Sequence, residues 1–212
     1  MIMKKLIGIV GSNSKKSTNR QLLKYMKKRY SEIDEIELVE VSGLPIFVKT
    51  EDMEIPMQAE RMLEKIKKAD GVIVATPEYD HSIPAILSSA LAWLSYGVHP
   101  FLDKPVMITG ASFGNLGASR AQAQLRQILD SPEIKARVMP SSEFLLSNSL
   151  KAFNNNGFLT DTQQVKWLDS LVADFNEFIN ISTQLTNTHK DDETNLNDFS
   201  GDEGANNKEV IN

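Results

Sequence analysis

The sequence contains no cysteine. This absence excludes disulfide bonds, thiolate metal sites and thiol redox chemistry within the chain, and it favours the reducing cytoplasm as its location. No window approaches the roughly 18 consecutive apolar residues of a membrane-spanning helix, so we expect no membrane association. Any electron transfer by this chain would therefore need a bound cofactor.

Excess charge of either sign is also absent from most of the chain. From Thr183 onward there are two Lys and seven Asp or Glu, which account for the whole net charge of −5 and leave 21 basic against 21 acidic residues before them. A neutral body gives no reason to expect nucleic acid or an anionic membrane as a partner. We predict one domain at residues 1–182 and a disordered acidic tail at 183–212, because the tail has few apolar anchors.

Short β-branched apolar runs alternate with amphipathic segments through the rest of the chain. The predicted strands are 6–10, 36–41, 71–75, 105–110 and 135–139, and the predicted helices include 57–68, 85–96, 119–129 and 165–179. Strand and helix alternate five times, which predicts an α/β fold with a parallel sheet covered by helices on both faces.

The loop after the first strand is rich in hydroxyls, amides and cations. It reads Gly11-Ser12-Asn13-Ser14-Lys15-Lys16-Ser17-Thr18-Asn19-Arg20. Free N–H groups and the positive end of the helix dipole favour an anion there. Thr18 with Gln21 fits a capping box, and Ser17 is the competing cap. Any strand-to-helix turn needs a glycine and a capping hydroxyl, so this loop alone leaves a phosphate site and a purely structural turn both open.

Two further unusual loops, Thr76–Pro84 and Ser112–Gly117, follow the third and fourth strands. The carboxyl ends of parallel strands share one edge of the sheet, where α/β proteins bind ligands, so the three loops should meet there. Pro77 and Pro84 stiffen the first of these loops and leave N–H groups free for a planar heterocycle. Glycines in the second loop allow close approach of a flat ring. A phosphate at one end and a flat polar ring at the other indicate a mononucleotide.

The three loops together resemble the motifs of a known family. The motifs are Gly11-Ser12-x-x-x-x-Ser17-x-Asn19-Arg20, Pro77-Glu78-Tyr79 with Ser82 and Pro84, and the Gly114/Gly117 loop leading into Arg120-Ala121-Gln122-x-Gln124-Leu125-Arg126. They resemble the NADPH-dependent FMN reductase family over roughly residues 4–178. The resemblance implies a flavodoxin-like three-layer sandwich with a five-stranded parallel sheet of order 2-1-3-4-5. It also implies a homodimer or homotetramer that binds FMN, takes hydride from NADPH or NADH, and reduces a small quinone, azo, metal or free flavin acceptor.

The family's cofactor-binding residues carry over by position. Ser12, Ser17, Thr18 and Asn19 would hold the FMN phosphate with Ser14 and Arg20 nearby, Pro77, Glu78, Tyr79, Asp80 and His81 would line the isoalloxazine, and Ser112 and Gly114 would close it. No side chain is needed as a catalytic acid or base, because the flavin carries the chemistry. We predict no metal site, since His81 and His99 lack carboxylates at ligand spacing.

The chain departs from the family pattern at three positions. Ser14 stands where Arg is common and Lys16 where Gly is common, so Lys15 or Lys16 would replace a phosphate cation. Asp80 stands where Asn is usual. An ionised Asp80 near the flavin would lower its reduction potential, which potentiometric titration of Asp80→Asn tests. Arg120 would either bind a nucleotide phosphate or pair with a neighbouring acid.

Two other functions compete with the reductase. A flavodoxin-type electron carrier would bind FMN without turnover of its own, and a flavin-free binding module would keep only the fold. A yellow protein that NADPH bleaches anaerobically and a quinone reoxidises indicates the enzyme. A yellow protein inert to pyridine nucleotides indicates the carrier.

Overall fold

The protein, a computed structural model that describes residues 3–140 and 142–188, is built from alternating strands and helices. The strands are β1 (Lys4–Val10), β2 (Asp34–Glu40), β3 (Gly71–Thr76), β4 (Pro105–Ala111), β5 (Arg137–Val138) and β6 (Phe144–Leu146). The helices are α1 (Thr18–Arg29), α2 (Met57–Lys68), α3 (Ala85–Trp93), α4 (Ser119–Leu129) and α5 (Thr162–Thr188), with one 3-10 turn at Ser149–Lys151. The α/β alternation predicted from hydrophobic periodicity is confirmed.

All strand pairs in the described sheet are parallel, and the order β2-β1-β3-β4-β5 confirms the predicted order 2-1-3-4-5. The prediction of five strands was wrong, because two short strands share the position beyond β4. β5 pairs with the start of β4 and β6 pairs with its end. Pro140 follows the first of them, and a proline supplies no N–H for a continuous ladder.

Each face of the sheet is covered by its own apolar cluster. In β1, Ile7 and Ile9 point into the cluster formed with α2, α3 and α4, whereas Leu6 and Val10 point into the cluster formed with α1 and α5. Every residue of β3 is buried. This burial on both faces is typical of the central strand of a three-layer sandwich.

The last helix is longer than its predicted span of 165–179. Its apolar stripe, which includes Leu168, Phe175 and Ile179, packs on the sheet. The helix then continues through residues 183–188 of the predicted tail, and the carbonyl of Ser182 accepts a hydrogen bond from Arg137 Nη1 at 2.5 Å. The remainder of the predicted acidic tail lies outside the described residues. Among the described helices, none has both the length and the apolar character needed to cross a membrane.

Candidate cofactor-binding site

The three loops that the sequence singles out meet at the carboxyl edge of the sheet and enclose a cleft of about 480 Å³. Ten of the twelve predicted site residues line it, namely Ser12, Ser14, Ser17, Thr18, Asn19, Pro77, Glu78, Tyr79, Ser112 and Gly114. Asp80 and His81 are not in the lining. Lys16, which the sequence offered with Lys15 as a phosphate cation, is in it, and so is Phe113 of the loop after β4. The convergence follows from the parallel sheet, because β1, β3 and β4 all end at this edge.

At one end of the cleft, Ser17 begins helix α1. Its hydroxyl accepts a hydrogen bond from the N–H of Arg20 at 3.2 Å, so Ser17 is the cap and the predicted capping box of Thr18 with Gln21 is wrong. The backbone N–H groups of Thr18 and Asn19 have no hydrogen-bond partner in the part of the chain that the structure describes. These free donors make the start of α1 suitable for an anion.

Gly11 sets the direction in which the first loop leaves the sheet. Its N–H donates to the carbonyl of Ala75 at 2.8 Å. A Cβ at this position would lie 2.7 Å from that carbonyl oxygen and 2.8 Å from Leu87 Cδ2. Only glycine allows this close approach of β1 and β3, and the approach directs the following residues over the end of the sheet.

Arg20 organises the loop from the side away from the cleft. Its guanidinium binds the carboxylate of Glu40 through Nε at 2.6 Å and Nη2 at 2.8 Å, and Nη1 donates to the carbonyl of Ser14 at 2.6 Å. The hydrogen bond with Glu40 raises the pKa of Arg20 above its ordinary value. Because these carbonyl and carboxylate groups occupy the guanidinium, Arg20 acts as a scaffold for the loop.

Lys16, and not Lys15, lines the cleft. No ion pair to Lys16 occurs within the described residues, so its ammonium group is available to a ligand. Of the two lysines considered as replacements for the family's usual arginine, Lys16 therefore has the better position.

Asn19 lines the cleft, but its side-chain amide is engaged inside the protein. Nδ2 donates to the carbonyl of Ala111 at 2.8 Å, and Oδ1 accepts from the N–H of Ala111 at 2.8 Å. The neighbouring Thr18 shares a buried hydrogen bond of 2.8 Å with Ser149. Both side chains were predicted to hold a phosphate, and both connect the first loop to other parts of the fold.

At the opposite end of the cleft, Glu78 caps helix α4. The residue before this helix is Ala118, which has a positive φ of 69° and no capping side chain. The carboxylate of Glu78 accepts hydrogen bonds from the N–H of Arg120 at 3.0 Å and from its Nη1 at 3.2 Å. The prediction left Arg120 open between a phosphate and an acid, and the structure pairs it with Glu78.

A tight turn at residues 79–82 explains why two predicted residues leave the cleft. The N–H groups of Tyr79 and Ser82 donate to each other's carbonyls at 3.0 and 2.9 Å, and the residues between them, Asp80 and His81, have φ of 51° and 64°. This is the pattern of a type I′ turn, which favours Asn-Gly. The effect of Asp80 on a flavin potential stays a prediction.

The rim at this end is apolar and open. Tyr79, Phe113 and Leu116 are 47%, 60% and 49% exposed. A Cβ added at Gly114 would meet no atom within 4 Å, so the wall beside Phe113 has room for a flat group. The cleft thus has an anion-binding end and an apolar end, which suits a ligand with the same division.

Neither of the two histidines in the described ranges, His81 and His99, belongs to a metal-binding group. His99 Nδ1 lies 3.0 Å from the carbonyl of Glu133. Within the described residues there is no group of three His, Cys, Asp or Glu that could hold a metal ion.

Comparison with known proteins places these features in a family. Residues 4–151 match the NADPH-dependent FMN reductase family. The chain is 51% identical over 179 residues to NADH:(hydroxy)cinnamate reductase subunit CrdA of Vibrio ruber, covering 84% of this chain and 89% of the relative. It is 41% identical over 180 residues to NADH-dependent flavin reductase subunit 2 of Lactobacillus johnsonii, covering 82% and 97%.

A solved structure is also similar to this chain. The flavoenzyme NAD(P)H:(acceptor) oxidoreductase FerB of Paracoccus denitrificans superposes with a TM-score of 0.76 at 29% identity, covering 85% of this chain and 99% of FerB. The family match spans the three loops of the cleft and the strands that carry them. The chain therefore belongs to the NADPH-dependent FMN reductase family and is an NAD(P)H-dependent oxidoreductase.

Proposed function

We propose that the cleft binds FMN and that the enzyme uses it to pass reducing equivalents from NADH or NADPH to a small-molecule acceptor. The observation that carries this proposal is the division of one cleft into an end with free backbone N–H groups and an end with an exposed apolar rim. A phosphate joined to a flat ring system has the same two parts.

The residues at the anion-binding end fit a phosphate monoester. The free N–H groups of Thr18 and Asn19 and the hydroxyl of Ser17 would hold its oxygens, and Lys16 would balance its charge. Ser12 lies beside them, and its hydroxyl accepts the N–H of Ser14 at 3.2 Å. The hydrogen of the Ser12 hydroxyl remains free to donate to the ligand.

The residues at the apolar end fit a flat, partly polar ring. Pro77, Glu78 and Tyr79 form one wall, and Ser112 and Gly114 form the other. Bound FMN would supply two-electron chemistry between the nicotinamide and the acceptor. The chain's own part is to bind, to orient the ring and to keep water from it with Tyr79 and the neighbouring rim, without a catalytic acid or base.

NADH is the nucleotide we expect to be used best. Both relatives compared above are named as NADH-dependent enzymes. In this chain the carboxylate of Glu78 pairs with the guanidinium of Arg120 at 3.2 Å. Arg120 should therefore bind the 2′-phosphate of NADPH more weakly than an unpaired arginine would. Because both relatives are also named as subunits, we include a second polypeptide among the acceptors to test, beside the homodimer or homotetramer that the resemblance implies.

The test is an anaerobic titration of the FMN-reconstituted protein. NADH should remove the visible flavin absorbance, NADPH should do so less efficiently, and a quinone, azo dye, ferric chelate or free flavin should restore it with turnover. A protein that binds FMN but responds to neither nucleotide would be an electron carrier, and the proposal would be wrong.

A matched pair of lysine variants tests the binding mode separately. Lys16→Met should weaken FMN binding about tenfold, or about 1.4 kcal/mol, because a cation next to the phosphate is lost. Lys15→Met removes the same charge from the neighbouring residue outside the cleft lining and should have little effect. Isothermal titration with FMN at fixed salt measures both.

A further inference from the structure

The end of β4 extends beyond its neighbour. The ladder between β3 and β4 stops at the pair Thr76 and Gly110, and Pro77 then takes the chain away from the sheet. Ala111, the last residue of β4, therefore has no partner in β3 for the N–H and C=O groups on that side. Both groups are buried, so leaving them unpaired would be costly.

Asn19 supplies both missing hydrogen bonds. Its Oδ1 accepts from the N–H of Ala111 and its Nδ2 donates to the carbonyl, each at 2.8 Å. The amide thus replaces a peptide group of an absent strand. Asn19 is only 1% exposed, and both polar atoms of its side chain take part in these two bonds.

The two connected elements belong to opposite ends of the cleft. Asn19 lies in the first turn of α1, whose N–H groups form the anion-binding end, and Ala111 directly precedes Ser112 in the opposite wall. A second connection runs beside it, since Thr18 and Ser149 share a buried hydrogen bond. Ser149 in turn donates its N–H to the carbonyl of Ser112 at 2.9 Å.

We propose that Asn19 is a positioning residue that holds the ring wall of the cleft, at Ala111 and Ser112, in place against the start of helix α1. This inference rests on the proposed binding of FMN. The side-chain amide of Asn19 holds the wall that contacts the ring, and the phosphate is bound by backbone N–H groups and by the side chains of Ser17 and Lys16. The carry-over from the family, by contrast, assigns Asn19 to the phosphate.

Riboflavin, which lacks the phosphate, separates the two roles. A positioning residue affects the ring wall, so Asn19→Ala should weaken FMN and riboflavin binding by the same factor, about tenfold for the loss of two buried hydrogen bonds. Ser17→Ala removes a direct phosphate contact, and it should weaken FMN binding while leaving riboflavin binding unchanged. The visible circular dichroism of bound riboflavin should also change in Asn19→Ala and not in Ser17→Ala.

Two additional variants protect the test against misfolding. Asn19→Leu keeps a side chain of similar volume but makes neither hydrogen bond with Ala111, and it adds no charge beside the phosphate, so it should behave like Asn19→Ala. Ser149→Ala breaks the second connection without changing a residue that lines the cleft, and it should also weaken both ligands alike.

The outcomes are distinct. Loss of FMN binding alone in Asn19→Ala would make Asn19 a phosphate ligand and overturn the inference, and so would unchanged binding of both ligands. If the wild-type protein bound neither FMN nor riboflavin, the proposed function itself would be wrong.

Discussion

The two ends of the cleft are constructed in opposite ways. At the anion-binding end, helix α1 has a regular cap, Arg20 is held by Glu40 and by backbone carbonyls, and the amide of Asn19 is fully engaged. At the apolar end, Ala118 and the turn at 79–82 adopt positive φ angles. One end presents backbone groups fixed by buried contacts, and the other presents exposed side chains on strained turns.

This difference teaches where specificity resides. Backbone N–H groups at a helix start bind any phosphate of suitable size, whereas the exposed rings of Tyr79 and Phe113 would meet whatever approaches the proposed flavin. Changes at the anion-binding end should therefore alter cofactor retention. Substitutions of the exposed rim side chains Tyr79 and Phe113 should alter the choice of acceptor and leave retention nearly intact.

The largest expected effect comes from Arg20→Ala. Without the guanidinium, the carboxylate of Glu40 loses its partner and the carbonyl of Ser14 loses its donor, so the first loop should lose its shape. FMN binding should weaken about 100-fold, or about 2.7 kcal/mol, by isothermal titration. Arg29→Ala is the matched control, because it breaks a similar pair with Asp169 at 2.6 Å at the far end of α1. It should lower the melting temperature and leave FMN affinity unchanged; equal losses in both variants would contradict the scaffold role.

The next largest effect is expected at Gly11, and it is compared with Gly114 at the other end of the cleft. Gly11→Ala places a Cβ within 2.8 Å of Ala75 and Leu87 atoms, and it should reduce the free energy of unfolding by about 2 kcal/mol through overpacking. Gly114→Ala meets nothing within 4 Å and should leave the apoprotein as stable as the wild type or slightly more so. Urea unfolding of the apoproteins measures both. A Gly114→Ala variant as unstable as Gly11→Ala would show that the two ends are equally constrained.

A smaller effect should follow from relieving the strained turn. His81 has a φ of 64°, where an L-residue with a Cβ is disfavoured. His81→Gly should therefore raise the free energy of unfolding by about 1 kcal/mol. His81→Ala keeps the Cβ while removing the imidazole, so it should give no such gain in thermal or urea unfolding. Equal stabilisation by the two variants would assign the effect to the ring of His81.

The smallest effect is expected at Asp34, which lies away from both ends of the cleft. A substitution there should change stability without changing FMN binding. Asp34 at the start of β2 is buried, Oδ2 accepts from Asn176 Nδ2 at 2.9 Å, and Oδ1 has no partner in the described residues. Burial raises the pKa of Asp34. The folded state therefore holds this proton more tightly than the unfolded state, so its contribution to stability is lost as pH rises through the folded pKa.

Asp34→Asn removes the free-energy cost of keeping an ionised carboxylate buried at this position. The variant should have a free energy of unfolding higher by less than about 1 kcal/mol at neutral pH. The gain should shrink in acid, as Asp34 of the wild type becomes protonated. Melting temperatures of both proteins across the pH range test this. FMN affinity should stay the same, and a gain that grew toward low pH would contradict the sign.

Local patterns predicted the elements and the position of the cleft well. Helices α2 and α4 have the predicted bounds, because their apolar residues recur at helical spacing. The three loops converge since a parallel sheet leaves them no other edge. β6 was missed, because three residues carry no detectable alternation, and α5 was predicted too short, because its last turns read as polar.

Contacts between distant segments explain the rest. Arg20 with Glu40, Glu78 with Arg120 and Asn19 with Ala111 are separated by 20, 42 and 92 positions. A single sequence gives no sign that such residues meet. Arg20, Glu78 and Asn19 therefore read as possible ligand contacts, whereas most of their polar capacity is used to hold the loops together.

The division of the sheet edge between β5 and β6 bears on self-association. A long, unpaired outer strand is a template on which further chains add by backbone hydrogen bonding. Here that flank consists of a two-residue strand and a three-residue strand interrupted after Val138, so it offers an incoming strand only short stretches to pair with. The proline that prevents a regular fifth strand thereby gives this side of the molecule some protection against fibril growth.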